Sequence, residues 1–153
     1  MELPLFDQVD DLVRALTPAE LGELRSRTHR RGMKVWFGND KPTRSHYEAQ
    51  VLARRHVDSV DGMALEIGFH AEHGDVATNV AILVGLESRQ NTWREILGDP
   101  AEAGIFYDAP NWRRVSEAWI EPDLDDPDLA FEVASRLVDY LMAIQPLLVD
   151  SPD

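Results

Sequence analysis

Apolar and polar residues alternate through residues 45–53 (SHYEAQVLA) and again through residues 63–72 (MALEIGFHAE). That two-residue period predicts two strands, each with one apolar side and one ionisable side. The ionisable sides carry His46, Glu48, Gln50, Glu66, His70 and Glu72. The linker 57–62 is short and rich in turn formers, so the strands should be antiparallel neighbours. Met33–Gly38 suits a third strand by its β-branched and aromatic content, and Arg30-Arg31-Gly32 reads as the turn before it. A loop over 38–42 then leads into the strand at 45, completing a three-strand meander.

Helical spacing takes over elsewhere. Leu5, Val9, Leu12, Val13 and Leu16 fall on one stripe and predict a first helix from about Leu5 to Leu16. Thr17-Pro18-Ala19-Glu20 has a capping residue, proline at the first helical position and glutamate at the third, which predicts a second helix to about Arg27. A longer apolar pattern from Val76 to Leu97, closed by Gly98 and Pro100, reads as a helix weakened at Gly85 and Ser88–Asn91. Two strands follow, at 103–107 and 113–120, around the turn residues 108–111. The last helix takes Asp126 as cap, Pro127 as first residue and Leu129 to Leu148 as its apolar stripe. The expected fold is a single α+β domain over residues 1–153. Its five-stranded, mainly antiparallel sheet follows the order α-α-β-β-β-α-β-β-α, with helices on one face and the histidine and glutamate face left open.

Composition narrows the classes. With 153 residues the chain can bury one core unaided. It has no cysteine, which excludes disulfides, thiolate chemistry and sulfur-bound zinc and suits a reducing compartment. No secretory signal or membrane-spanning run is visible, so the expected location is the cytoplasm. The net charge of −13 opposes binding to nucleic acid or an anionic bilayer. The charge is uneven: ten basic and eight acidic residues up to position 57 give +2, and five against twenty thereafter give −15. The basic part, Arg25, Arg27, Arg30, Arg31, Lys34, Lys41, Arg44, Arg54 and Arg55, is a candidate phosphate patch or a partner for the acidic half.

An acidic chain with this order of elements resembles the type III secretion chaperones and the related YbjN-like proteins over nearly its whole length. That resemblance implies a homodimer that holds a partner polypeptide, with no cofactor and no turnover. From Met63 to Leu148, a strand, a helix with Trp93, the Arg-Val-Ser strand and a helix ending Gln145-Pro146 also resemble an uncharacterised module at the ends of some endonuclease-like proteins.

The polar strand faces carry the candidate chemistry. His46-Tyr47-Glu48 and His70-Ala71-Glu72 each set an imidazole and a carboxylate on one side of a strand, and pairing would let the four converge. Such donors suit a divalent first-row metal, with Glu66 or His73 as a further ligand. Glu48 and Glu66 are alternatively a carboxylate pair for acid–base work. Trp119 is a candidate aromatic anchor on the open face, and one of Arg113 and Arg114 should reach Glu48, Glu66 or Glu117 there. No phosphate-binding glycine loop, nucleophile elbow or dinucleotide fingerprint occurs. The leading expectation is a non-enzymatic protein- or peptide-binding module using His46, Glu48, Gln50, Glu66, His70, Glu72 and Trp119. The alternative is a metal- or carboxylate-dependent enzyme built on His46, Glu48, Glu66 and His70. On the first reading, replacing Glu66 and His70 together by alanine weakens partner binding and leaves stability nearly unchanged.

Overall fold

Helix α1 (Pro4–Leu16) opens the described part of the computed structural model, which comprises residues 4–38 and 44–149. The loop expected at 38–42 lies, beyond Gly38, outside the described residues, as does Lys41. Helix α1 buries Phe6, Val9 and Val13, the stripe its periodicity requires.

The chain then departs from expectation. Thr17 does not cap a second helix, because its hydroxyl donates to the Val13 carbonyl at 2.6 Å and so finishes α1. A single 3-10 turn, Ala19–Leu21, ends at Gly22 with φ +117°, a backbone conformation that favours glycine. Residues 24–29 therefore extend as strand β1 (Leu24–His29), where a helix to Arg27 was expected. Ser26 on β1 hydrogen-bonds Asp10 of α1, tying the strand to the helix layer.

With β1 the sheet has six strands, one more than the pattern predicts. The others are β2 (Gly32–Phe37), β3 (Ser45–Ala53), β4 (Met63–Ala71), β5 (Glu102–Phe106) and β6 (Ala109–Ile120). Their spatial order is β1-β2-β3-β4-β6-β5, every neighbouring pair antiparallel. The short α2 (Arg55–Asp58) sits between β3 and β4. The expected long helix is two, α3 (Val76–Glu87) and α4 (Gln90–Leu97), parted at Ser88 and Arg89 in the stretch its polar run weakens. The Trp93 indole N–H spans the break by donating to the Leu86 carbonyl at 2.8 Å. Helix α5 (Leu129–Val149) starts two residues after Pro127, and Asp126 accepts the Asp128 amide just ahead of it.

One face of the sheet meets α1, α3 and α5. Val35, Ala49, Ile67, Phe69 and Val115 interleave there with Val9, Leu137 and Leu141. Register fixes the opposite face. His46 lies across from His70, Glu48 from Gly68 and Gln50 from Glu66. Gly68 has φ +155°, and a Cβ there would come within 2.5 Å of the Val115 carbonyl and the Ser116 Cα on β6. We predict that Gly68→Ala lowers unfolding free energy by about 1–3 kcal/mol, through strain and overpacking. Urea denaturation measures it.

Candidate metal centre

The polar face is not open. His46 is 2 % exposed, Glu48 3 %, and Glu66 and His70 are fully buried, so the expected solvent-facing recognition surface is an interior. Its cover comes from strands two positions away in the sheet, roughly 9–10 Å across at normal strand spacing. From β5, Phe106 lays its ring edge-on against His70 with centroids 4.9 Å apart. Tyr107 follows it in the hairpin turn, and the Arg114 guanidinium lies 4.0 Å over its ring. Burial raises the Tyr107 phenol to about 12. From β1, His29 reaches inward to Glu48.

Glu48 is the hub. Its Oε2 accepts from His29 Nε2 at 2.7 Å, while its Oε1 lies 3.3 Å from His46 Nε2 and 3.2 Å from His70 Nδ1. Glu72 closes the figure, with Oε2 at 3.5 Å from His46 Nε2 and 3.2 Å from His70 Nδ1. The four atoms form a ring, His46–Glu48–His70–Glu72, all within 4.8 Å of one another. On the far side of His70, Nε2 donates to Glu66 Oε2 at 2.7 Å, and Glu66 Oε1 accepts from Gln50 Nε2 at 3.0 Å. A carboxylate only accepts, so this bond places a proton on Nε2 and leaves Nδ1 as the nitrogen aimed into the ring. Nδ1 is buried and makes no well-directed hydrogen bond, pointing between two carboxylate oxygens.

Electrostatics follow from that crowding. Burial alone would push the Glu48 carboxyl up, but hydrogen bonds from His29 and His46 and the charge of the neighbouring His70 imidazole outweigh it and hold Glu48 far below the usual range. Glu72 is lowered in the same way, burial being outweighed by His70 and His46. Burial would depress the His70 imidazole, yet the charge of Glu66 and the nearby Glu48 and Glu72 raise it well above its ordinary value. Three carboxylates around His70 thus favour its imidazolium form.

Several site expectations need correction. Trp119 sits on the other face, across from Leu65, and its indole N–H donates to Glu117 Oε2 at 2.8 Å. Glu117 also belongs to the helix side, accepting from Arg136 and from the Tyr140 hydroxyl. Arg114 reaches the polar face but meets Tyr107, Ser116 and Glu102 rather than Glu48 or Glu66. Glu66 is not in the ring. His73 turns to Ser45 Oγ, 3.0 Å away, and burial and Arg44 lower its pKa. Glu48 and Glu66 flank His70 on opposite nitrogens, and the lowered Glu48 is not the raised acid that an acid–base pair requires. In the basic stretch, Arg54 meets Asp58 and Glu121, and Arg25 meets Glu23. His29 falls between the expected helix end at Arg27 and the turn at Arg30, where nothing marks it as a strand residue, and no local signal ties Phe106 and Tyr107 of the hairpin to His70 on β4.

Comparison with known proteins returns no match: no family model, curated protein or solved structure resembles the chain significantly. Among the described residues no helix is long and apolar enough to cross a membrane.

Proposed function

We propose that this chain is a metalloprotein whose central strands β3 and β4 hold one divalent first-row transition ion through His46 Nε2, Glu48 Oε1, His70 Nδ1 and Glu72 Oε2. The observation that carries the reading is the ring with its unbonded Nδ1. Along the four sides of the ring the donor separations of 3.2–3.5 Å equal the spacing around a tetrahedral ion, while the two pairs across the ring lie within 4.8 Å. With bonds of about 2.0–2.1 Å, such an ion spaces neighbouring donors roughly 3.3–3.4 Å apart. Two imidazoles with two carboxylates favour zinc, manganese or iron over magnesium or calcium, which take oxygen donors.

The surroundings support the same reading. The Gln50–Glu66–His70 chain is the arrangement that orients a metal-bound imidazole, a carboxylate taking the N–H opposite the ligating nitrogen. Glu48, Glu66 and Glu72 concentrate negative charge where it must be balanced, and an ion replacing the His70 proton supplies that balance. Buried as they are, His46, Glu48, Glu66 and His70 suit an enclosed ion better than a peptide.

Calorimetric titration of chelator-stripped protein with zinc should give one site per chain. Glu48→Ala and His70→Ala should each abolish it, whereas Glu66→Gln should weaken it by about 10–100-fold. Undiminished binding in Glu48→Ala would rule the ring out.

A further inference from the structure

We infer that occupancy of the ring is relayed through Glu48 and His29 to the β1–β2 turn, so that the ion is a structural effector and the Arg30–Arg31 turn is the surface that responds to it. This rests on the metal reading above. Four protein donors make a complete four-ligand set, the pattern of a closed structural site, whereas catalytic zinc keeps one position for water or substrate.

The relay is continuous. Glu48 divides its oxygens: Oε1 belongs to the ring and Oε2 accepts from His29 Nε2 at 2.7 Å. The other nitrogen of His29, Nδ1, accepts the backbone N–H of Arg31 at 3.3 Å. The Arg31 carbonyl in turn accepts the Val51 amide at 2.8 Å. Gly32 lies between His29 and Gln50 in the register and lets β2 approach β3 closely. A Cβ on Gly32 would stand 2.1 Å from the Ala49 carbonyl oxygen.

The receiving end is built to respond. Within the sheet β1 is an edge strand, bonded to β2 alone, so its turn opens at lower free energy than the centre. Arg30 and Arg31 are exposed and meet no acidic side chain among the described residues. They rim a groove of about 390 Å³ floored by Val51, Leu52, Met63 and Leu124. Glu48 is shared among three imidazoles, and an ion on Oε1 would fix the carboxylate, and through it His29 and the turn.

Hydrogen–deuterium exchange on the full chain tests this, in chelator and in saturating zinc, with calorimetry confirming occupancy. Zinc should slow exchange at the Arg30–Arg31 turn by about fivefold or more. In His29→Ala, zinc should still bind and still slow β3 and β4 while the turn exchanges as in the metal-free protein. His29→Gln, whose amide can donate to Glu48, should restore part of the slowing. The relay is overturned if zinc binds and turn exchange does not change, or if His29→Ala shows the wild-type slowing. Loss of zinc binding in His29→Ala would overturn it too, by placing His29 in the ring. Failure of the wild type to bind zinc would instead overturn the metal reading on which the relay rests.

Discussion

Glu66→Ala should lower the unfolding free energy by about 3–5 kcal/mol, the loss characteristic of removing one partner of a buried charged pair. Glu66 is fully buried and holds two side chains, His70 and Gln50. Its removal strips the closest counter-charge from a buried imidazolium and leaves the Gln50 amide without its acceptor. Glu66→Gln should cost less, since its carbonyl oxygen still accepts from His70. This reverses the expectation of near-neutral substitution that an open face would justify. Urea denaturation at pH 6 in chelator measures it, and a loss below about 1 kcal/mol would mean the face is effectively solvated.

Saturating zinc should stabilise the protein by about 4 kcal/mol when free ion stands at a thousand times its dissociation constant. For a chain of this size that is a rise of roughly 8–16 °C in thermal midpoint. The sign of the pH dependence is set by His70. Its folded pKa is raised, so its stabilising contribution is complete below the unfolded value of about 6.5 and is lost as pH climbs through the folded value. Glu48 and Glu72 are lowered, so their contribution is present above the ordinary carboxyl range and disappears as pH falls towards their folded values. The metal-free protein should thus be most stable between about pH 4.5 and 6.5. Zinc takes the place of the His70 proton, so its affinity grows with pH up to the raised pKa and its stabilising shift is larger at pH 8 than at pH 6. Thermal melts with and without zinc at the two pH values check both signs, with Glu48→Ala as the unresponsive control.

The sequence is most legible where one period dominates. Alternation at 45–53 and 63–72 identified strands β3 and β4, and the repeated His-x-Glu spacing placed all four ring donors on one face. Helix α1 and most of α5 were readable from their stripes. What failed was local grammar with a second use. Thr17 has the residues of a capping box around it, yet its hydroxyl serves the preceding helix, and this hid β1 together with His29. Burial of the polar face was also beyond reach of the pattern. Alternation says which residues share a side but not what lies above them, and the cover here comes from Phe106, Tyr107 and Arg114 on a hairpin paired only through β6. Trp119 was misplaced for a related reason: strand β6 puts Val115, Glu117 and Trp119 on the helix side, and the polar Glu117 in that series breaks the apolar alternation.

Metal content and donor set in one sample put the central claim to the sharpest test: elemental analysis and X-ray absorption on untagged protein loaded with zinc and desalted. One ion per chain, bound by two imidazole nitrogens and two carboxylate oxygens at about 2.0–2.2 Å, is the result predicted. A chain that leaves the column with a negligible fraction of an ion, or one whose zinc carries only water oxygens, would contradict it.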